Sequence, residues 1–210
     1  AACSSGQEPY SISMIIDEFL RANPGALANN VQIIATDLSP SMLDLARAGS
    51  YDAAVMARGV SAERRRLFFK ERFGRWQLNE DVRRRVTFSE HNLQLGFEPL
   101  GKFQVIFCRN VLIYFAADLK RSILARFAAA LQPGGYLFLG AAEAITGYSD
   151  AFEMLRLPQG IVVVPVRLED GPPKAAPFVG EGLEGERVGH GVQALDLVVV
   201  DHRHEVVQPV

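Results

Sequence analysis

Apolar residues recur at helical spacing from Pro9 to about Asn23, at Ile12, Ile15, Ile16, Phe19 and Leu20, and Pro24-Gly25 ends the run. A helix therefore opens directly out of the small-residue loop Cys3-Ser4-Ser5-Gly6. Val31 to Thr36 is a short apolar run of strand type ending in Asp37, and Ser39-Pro40 supplies an N-cap and first turn for a helix through Ala48. Ser61 to Phe73 predicts a basic helix carrying Arg64-Arg65-Arg66, followed by a small turn or hairpin from Gly74 to Asn79 and a strand at Val86-Thr87-Phe88. Phe103 to Cys108 is apolar almost throughout, which suits a strand covered on both faces in the middle of a sheet. Leu119, Ile123, Leu124, Phe127 and Leu131 mark a helix from Ala116 to Leu131, closed by Pro133-Gly134-Gly135 before a strand at Tyr136 to Leu139. Phe152 to Leu157 and Ile161 to Val166 then read as an antiparallel pair across Pro158-Gln159-Gly160.

Strands alternating with helices and finishing in a hairpin predict an α/β fold, its sheet mostly parallel with an antiparallel C-terminal edge. Gly171 to Gly185 has the Gly, Pro and charge content of a linker. Beyond it, Leu195 to Val200 and Val206-Val207 have room for one hairpin, too small to fold alone, whose pattern resembles the opening of PAS sensory domains. The expected division is one domain over 1–168, a linker over 169–194, and the start of a further domain or a tail over 195–210.

With 210 residues, 49% apolar and 22% charged, the chain can bury one sizeable core, so one domain is the starting expectation. A net charge of −2 gives no general attraction to nucleic acid or anionic lipid. Cys3 and Cys108 are the two cysteines, in contexts that suit buried or loop thiols and a reducing cytoplasm. No apolar stretch approaches the ~18 residues that cross a bilayer, so no membrane insertion is expected. The chain starts in a loop without an initiator Met and is taken as a fragment of something longer.

In an open α/β sheet, ligands lie at the carboxyl ends of strands, and four such positions stand out. In Cys3 to Ser11, small residues admit a ligand close to the backbone and the helix start favours a negative group. Glu8 there either accepts a hydrogen bond from a ligand ammonium or complements the helix dipole. Asp37 suits two ribose hydroxyls as a bidentate acceptor, or serves as an Asx-turn residue before Ser39. Asn92, beside Leu93, can meet an adenine edge or simply form a turn, and His91 is read as a loop histidine. Arg109 and Asn110 interrupt the apolar run Cys108 to Phe115, where a polar pair is costly to bury unless something binds it. The lone Gly6 disfavours a dinucleotide loop, and no G-x-S-x-G elbow occurs.

Together, C-S-S-G-Q-E-P-Y-S, A-T-D-L-S-P-S-M-L, H-N-L, F-C-R-N-V-L-I-Y-F and L-Q-P-G-G-Y-L-F-L-G, in this order, resemble the CheR family of chemotaxis methyltransferases over about residues 1 to 166. The resemblance implies a Rossmann-like S-adenosylmethionine-dependent fold whose first strand, ahead of Cys3, is truncated here. It implies transfer of a methyl group to glutamate carboxylates of chemoreceptor cytoplasmic helices, with S-adenosylhomocysteine as product. It further implies that Glu8, Asp37, Asn92, Leu93, Cys108 and Arg109 contact the cofactor, and that Tyr114, Asn110 and Arg109 serve catalysis, with Tyr114 positioning the acceptor. No metal, nucleic acid or membrane partner is implied, and fusion to further signalling domains is expected.

Where the family has G-H-S-E-N-F, this chain has Gly140-Ala141-Ala142-Glu143-Ala144-Ile145, so Gly140 and Glu143 alone carry over. The family's inserted hairpin maps to about Phe73 to Phe88 and looks short, so receptor methylation without tail-peptide tethering is expected. Arg64 to Arg66 and Arg83 to Arg85 either face acidic receptor helices or form solvated faces. The rival readings are a non-catalytic nucleoside-binding sensor or adaptor module in a larger signalling protein, and a nicotinamide-dependent oxidoreductase, which the lone Gly6 disfavours.

Overall fold

The computed structural model describes residues 1–26, 31–143, 145–157 and 160–165; the expected linker and final hairpin lie outside the described residues. Helix α1 (Gln7–Ala22) buries Tyr10, Ser13 and Met14 and leads to strand β1 (Ile33–Asp37). Helix α2 (Pro40–Ala48) starts as its sequence predicts, with the Ser39 hydroxyl accepting from the Met42 amide and Pro40 in the first turn. A two-residue strand β2 (Ser50–Tyr51) and helices α3 (Ala53–Gly59) and α4 (Ala62–Phe68) follow.

The basic helix stops at Phe68, five residues short of the expected end. Strand β3 (Phe69–Arg72) instead pairs antiparallel with β4 (Arg75–Leu78), and β4 pairs on its other side with β2. Both turn residues, Phe73 and Gly74, have positive φ, 51° and 73°, the conformation of a tight two-residue hairpin turn. The inserted hairpin is therefore Phe69 to Leu78, not Phe73 to Phe88. Residues 80–83 form the short helix α5 (Glu80–Arg83), and β5 (Val86–Glu90) pairs parallel with β1.

Strand β6 (Phe103–Cys108) pairs parallel with β7 (Leu131–Leu139), and helix α6 (Ala117–Ala130) makes the crossover between them. Pro133-Gly134-Gly135 falls inside β7 rather than ahead of it. The register slips there, Phe103 facing Leu131 but Val105 facing Tyr136, so the extra residues bulge out of the ladder. A Cβ on Gly135 would lie 2.9 Å from the Gln104 carbonyl oxygen, which explains a glycine at that point. The antiparallel edge follows as expected, with β8 (Phe152–Leu157) on β9 (Gly160–Pro165) and β9 on β7.

The strands thus form an α/β arrangement in separate ribbons, β1-β5 and β6-β7-β9-β8, beside the small sheet β2-β4-β3. Among the described residues β1 and β6 are each paired on one side only, so β6 borders its sheet rather than lying in the middle as its apolarity suggested. Ile34 and Val105 on these strands are 41% and 39% exposed. Buried apolar residues fall correspondingly into two clusters where one was expected. One gathers Tyr10, Met14, Leu43, Met56 and Phe68; the other gathers Phe97, Ile123, Leu124, Phe127 and Leu137. Residues 1–3 join the two strands: the Ala1 amine donates to the Phe107 carbonyl (2.6 Å) and the Cys3 amide to the Thr36 carbonyl (2.9 Å).

Both arginine runs are largely tied into the fold. Arg64 makes a bidentate pair with Glu18 (2.6 and 2.7 Å) and Arg65 lies over the Trp76 ring. Arg85 donates to the carbonyl and hydroxyl of buried Ser13. No helix among the described residues is long and apolar enough to cross a membrane.

Cys3 and Cys108 are both buried free thiols, as their contexts suggested. Burial pushes Cys3 from an ordinary 9.0 up to about 11 and Cys108 up to about 12. The fold thus keeps both thiols neutral. Their contribution to stability is complete below the unfolded value and is lost as pH rises through the folded values. At about pH 8, a disulfide exchange reagent is expected to react with under a tenth of the thiol in native protein and with both cysteines in denaturant. Stoichiometric reaction of either thiol in the native chain would contradict this burial.

Candidate cofactor and acceptor site

The loop ahead of α1 bends through left-handed backbone at Ala2 (φ 57°), Ser4 (φ 48°) and Gly6 (φ 88°). Gly6 satisfies two demands at once: the positive φ, and a close approach in which a Cβ would stand 2.9 Å from the Ala46 Cβ. It is also the N-cap of α1 and supplies no side-chain cap, so the helix start keeps N–H groups free for an anionic group.

Asp37, at the end of β1, draws this loop in. One carboxylate oxygen accepts from the Ser4 amide (2.8 Å) and the other from the Ser39 amide (2.9 Å). The Asx turn and the ligand reading are therefore compatible, because each oxygen retains a lone pair. From the far side, Arg109 at the end of β6 donates to Glu8 on α1 at 2.8 Å, both side chains being about four-fifths buried. The loop, Asp37 and the polar break at Arg109 thus lie along one edge where β1 and β6 both end.

Asn92 follows β5. Its side-chain oxygen accepts from the Gln94 amide (2.9 Å), while the neighbouring His91 amide donates to the Asp37 carbonyl (3.1 Å), which keeps the segment beside the same edge. The Leu93 and Cys108 side chains point into the core, so each offers a ligand its backbone rather than its side chain. Asn110 and Tyr114 are exposed, Tyr114 at 69%, on the loop and 3-10 turn (Leu112–Tyr114) after β6.

One carboxylate at this edge had no role assigned from sequence. Glu143, 8% exposed, accepts from four backbone amides. One oxygen takes Asn110 (2.9 Å) and Gly140 (2.7 Å), and the other takes Val111 (2.9 Å) and Leu112 (2.7 Å). Hydrogen bonds to a charged group contribute roughly 1.5–3 kcal/mol each, which offsets the desolvation of a buried carboxylate. The sequence signal was slight: an acid three residues past a glycine at a strand end.

A helix start with free amides, a nearby carboxylate and a second carboxylate at a strand end suit, in order, a ligand carboxylate, its ammonium and a ribose. This donor and acceptor set fits S-adenosylmethionine. Among the described residues no group of three or more His, Cys, Asp or Glu is placed to hold a metal ion.

Residues 1–161 match the family described as CheR methyltransferase, SAM binding domain. The chain is 53% identical over 163 residues to chemotaxis protein methyltransferase 1 of Pseudomonas aeruginosa, covering 77% of this chain and 60% of the relative. It is also 53% identical over 163 residues to the protein of the same name from Vibrio cholerae, covering 77% and 59%. The chain therefore spans about 60% of the length of the curated relatives it matches. Among solved structures, one described as "DhpI-SAH complex structure" matches 79% of this chain and 57% of its own at 14% identity, with a TM-score of 0.40.

Proposed function

The chain belongs to the CheR methyltransferase family, and from that premise we propose that it is the cofactor-binding catalytic part of an enzyme that methylates glutamate side chains of chemoreceptors. The observation that carries the reading is the convergence of the Ser4 loop, Asp37 and the Glu8–Arg109 pair where β1 and β6 end. When bound, S-adenosylmethionine supplies an electrophilic sulfonium methyl and is left as S-adenosylhomocysteine.

The residues divide the work by position. The free amides at the start of α1 hold the ligand carboxylate, Glu8 its ammonium and Asp37 the ribose, with Asn92 and the Leu93 backbone on the adenine side. Arg109, bonded to Glu8, belongs with the amino acid end of the cofactor and fixes the Glu8 carboxylate. A glutamate carboxylate is already an anion at neutral pH, so the protein needs no general base. Its task is orientation and desolvation of that carboxylate, worth up to roughly 7–11 kcal/mol in favourable cases. Asn110 and the exposed Tyr114 hydroxyl are the groups available to orient it. The receptor's acidic helices are the partner and the cytoplasm the place of action, with further signalling domains on the same polypeptide.

Labelled methyl transfer from S-adenosylmethionine to receptor glutamates by the full-length protein that contains this chain tests this, read as base-labile ester. Tyr114→Phe is expected to lower turnover about 10- to 100-fold while leaving S-adenosylhomocysteine affinity within threefold. Turnover equal to wild type would remove Tyr114 from acceptor positioning, and no transfer by the wild-type full-length protein would remove the enzymatic reading.

A further inference from the structure

Glu143 is a buried carboxylate for which the described residues supply no cationic side chain; backbone amides are its hydrogen-bond donors. Three of the four belong to consecutive residues, Asn110, Val111 and Leu112. Such a row of N–H groups turned toward one anion forms a concave nest that holds the backbone in a fixed shape. Asn110 is held at φ 60°, a conformation that non-glycine residues rarely adopt and that persists where surrounding contacts dictate it. Gly140 leaves room for the arrangement: a Cβ there would meet a Glu143 oxygen at 2.9 Å and the Asn110 nitrogen at 3.0 Å. The clamp joins the end of β7 to the segment that carries Arg109, Asn110 and Tyr114.

We propose that Glu143 is a positioning residue for methyl transfer, its carboxylate setting the Asn110 to Leu112 backbone and thereby presenting Asn110 and Tyr114 in their working geometry before the acceptor binds. The inference rests on the function proposed above. Glutamine at this position is not a mild change. Whichever way its amide turns, the NH2 group faces two backbone N–H donors, either Asn110 with Gly140 or Val111 with Leu112, so two of the four bonds are lost. Gly140→Ala attacks the same clamp from the other side and leaves the carboxylate chemistry intact.

Both variants are tested in the full-length protein that contains this chain. Turnover is expressed per S-adenosylhomocysteine-binding site, so that misfolded protein does not count, and amide hydrogen exchange is followed in parallel. Both E143Q and G140A are expected to lower kcat at least tenfold, with the S-adenosylhomocysteine Kd within threefold of wild type. Exchange at Asn110 to Leu112 is expected to accelerate at least tenfold while Ile123 to Phe127 in α6 stay unchanged. The proposal is overturned by kcat per site within twofold of wild type, by unchanged exchange at Asn110 to Leu112, or by acceleration that extends to Ile123 to Phe127, the mark of general structural support. A wild-type full-length protein that transfers no methyl group overturns the enzymatic reading itself. A wild-type full-length protein that transfers methyl and is matched by E143Q overturns the role of Glu143 alone.

Discussion

Asp37→Ala is expected to weaken S-adenosylhomocysteine binding at least about 100-fold, roughly 2.8 kcal/mol at 1.4 kcal/mol per tenfold. Two losses add. On the proposed placement, the ribose hydroxyls forfeit charge-assisted acceptors, each worth roughly 1.5–3 kcal/mol. The Ser4 and Ser39 amides, at 2.8 and 2.9 Å from the carboxylate, forfeit theirs as well, so the Ser4 loop is no longer drawn against β1. Asp37→Asn separates the two losses, because its remaining oxygen still serves one amide and one hydroxyl, and an intermediate affinity is expected. Titration calorimetry decides the matter. An Asp37→Ala protein binding within threefold of wild type would place the nucleoside elsewhere.

Phe127→Ala is expected to carry the largest cost in stability. The ring is 1% exposed and stacks on Phe97 with centroids 5.0 Å apart, in the cluster that packs α6 onto β6 and β7. Truncating a buried phenylalanine costs about 3–5 kcal/mol. For a chain of this length each kcal/mol moves Tm by about 2–4 °C, so a fall on the order of 10 °C is anticipated by calorimetry. Phe73→Ala, at a hairpin tip where the side chain is fully exposed, is the matched control and should leave Tm within about 1 °C. A Phe127→Ala protein melting within about 2 °C of wild type would show that this cluster does not hold the second half together.

The parts of the fold legible in the sequence were those set by local chemistry. Ser39-Pro40 announces α2, the 3.6-residue repeat through Phe127 announces α6, and the apolar runs announce β1, β6, β8 and β9. Non-local partners were not legible. The α4 to β3 break came from pairing with β4 across a turn whose first residue is Phe73, a poor advertisement for positive φ. Pro133-Gly134-Gly135 has the composition of a helix stop but was absorbed as a bulge within β7, because the β6 backbone passes close to Gly135. The apolarity of β6 promised neighbours on both sides, yet pairing is set by which strands lie alongside, and among the described residues β7 alone does.

The candidate site divides the same way. Asp37 and Arg109 stand out in the sequence because they end or follow strands, where an α/β sheet places its ligands. Their ties to Ser4 and Glu8 required coordinates. Glu143 shows in the sequence as a match to the family motif but without a role, because its partners are main-chain amides, which are the same in every sequence.

The Glu8–Arg109 bridge spans 101 positions along the chain and links residues whose neighbours pack into separate cores. Contacts of such separation close late, because the loop between them must be ordered before the bond repays its entropy. A ligand held as proposed, with Asp37 on one side and Arg109 on the other, therefore needs both clusters packed before its site is complete. On that reading, affinity for the cofactor reports the junction between the two clusters rather than either one alone.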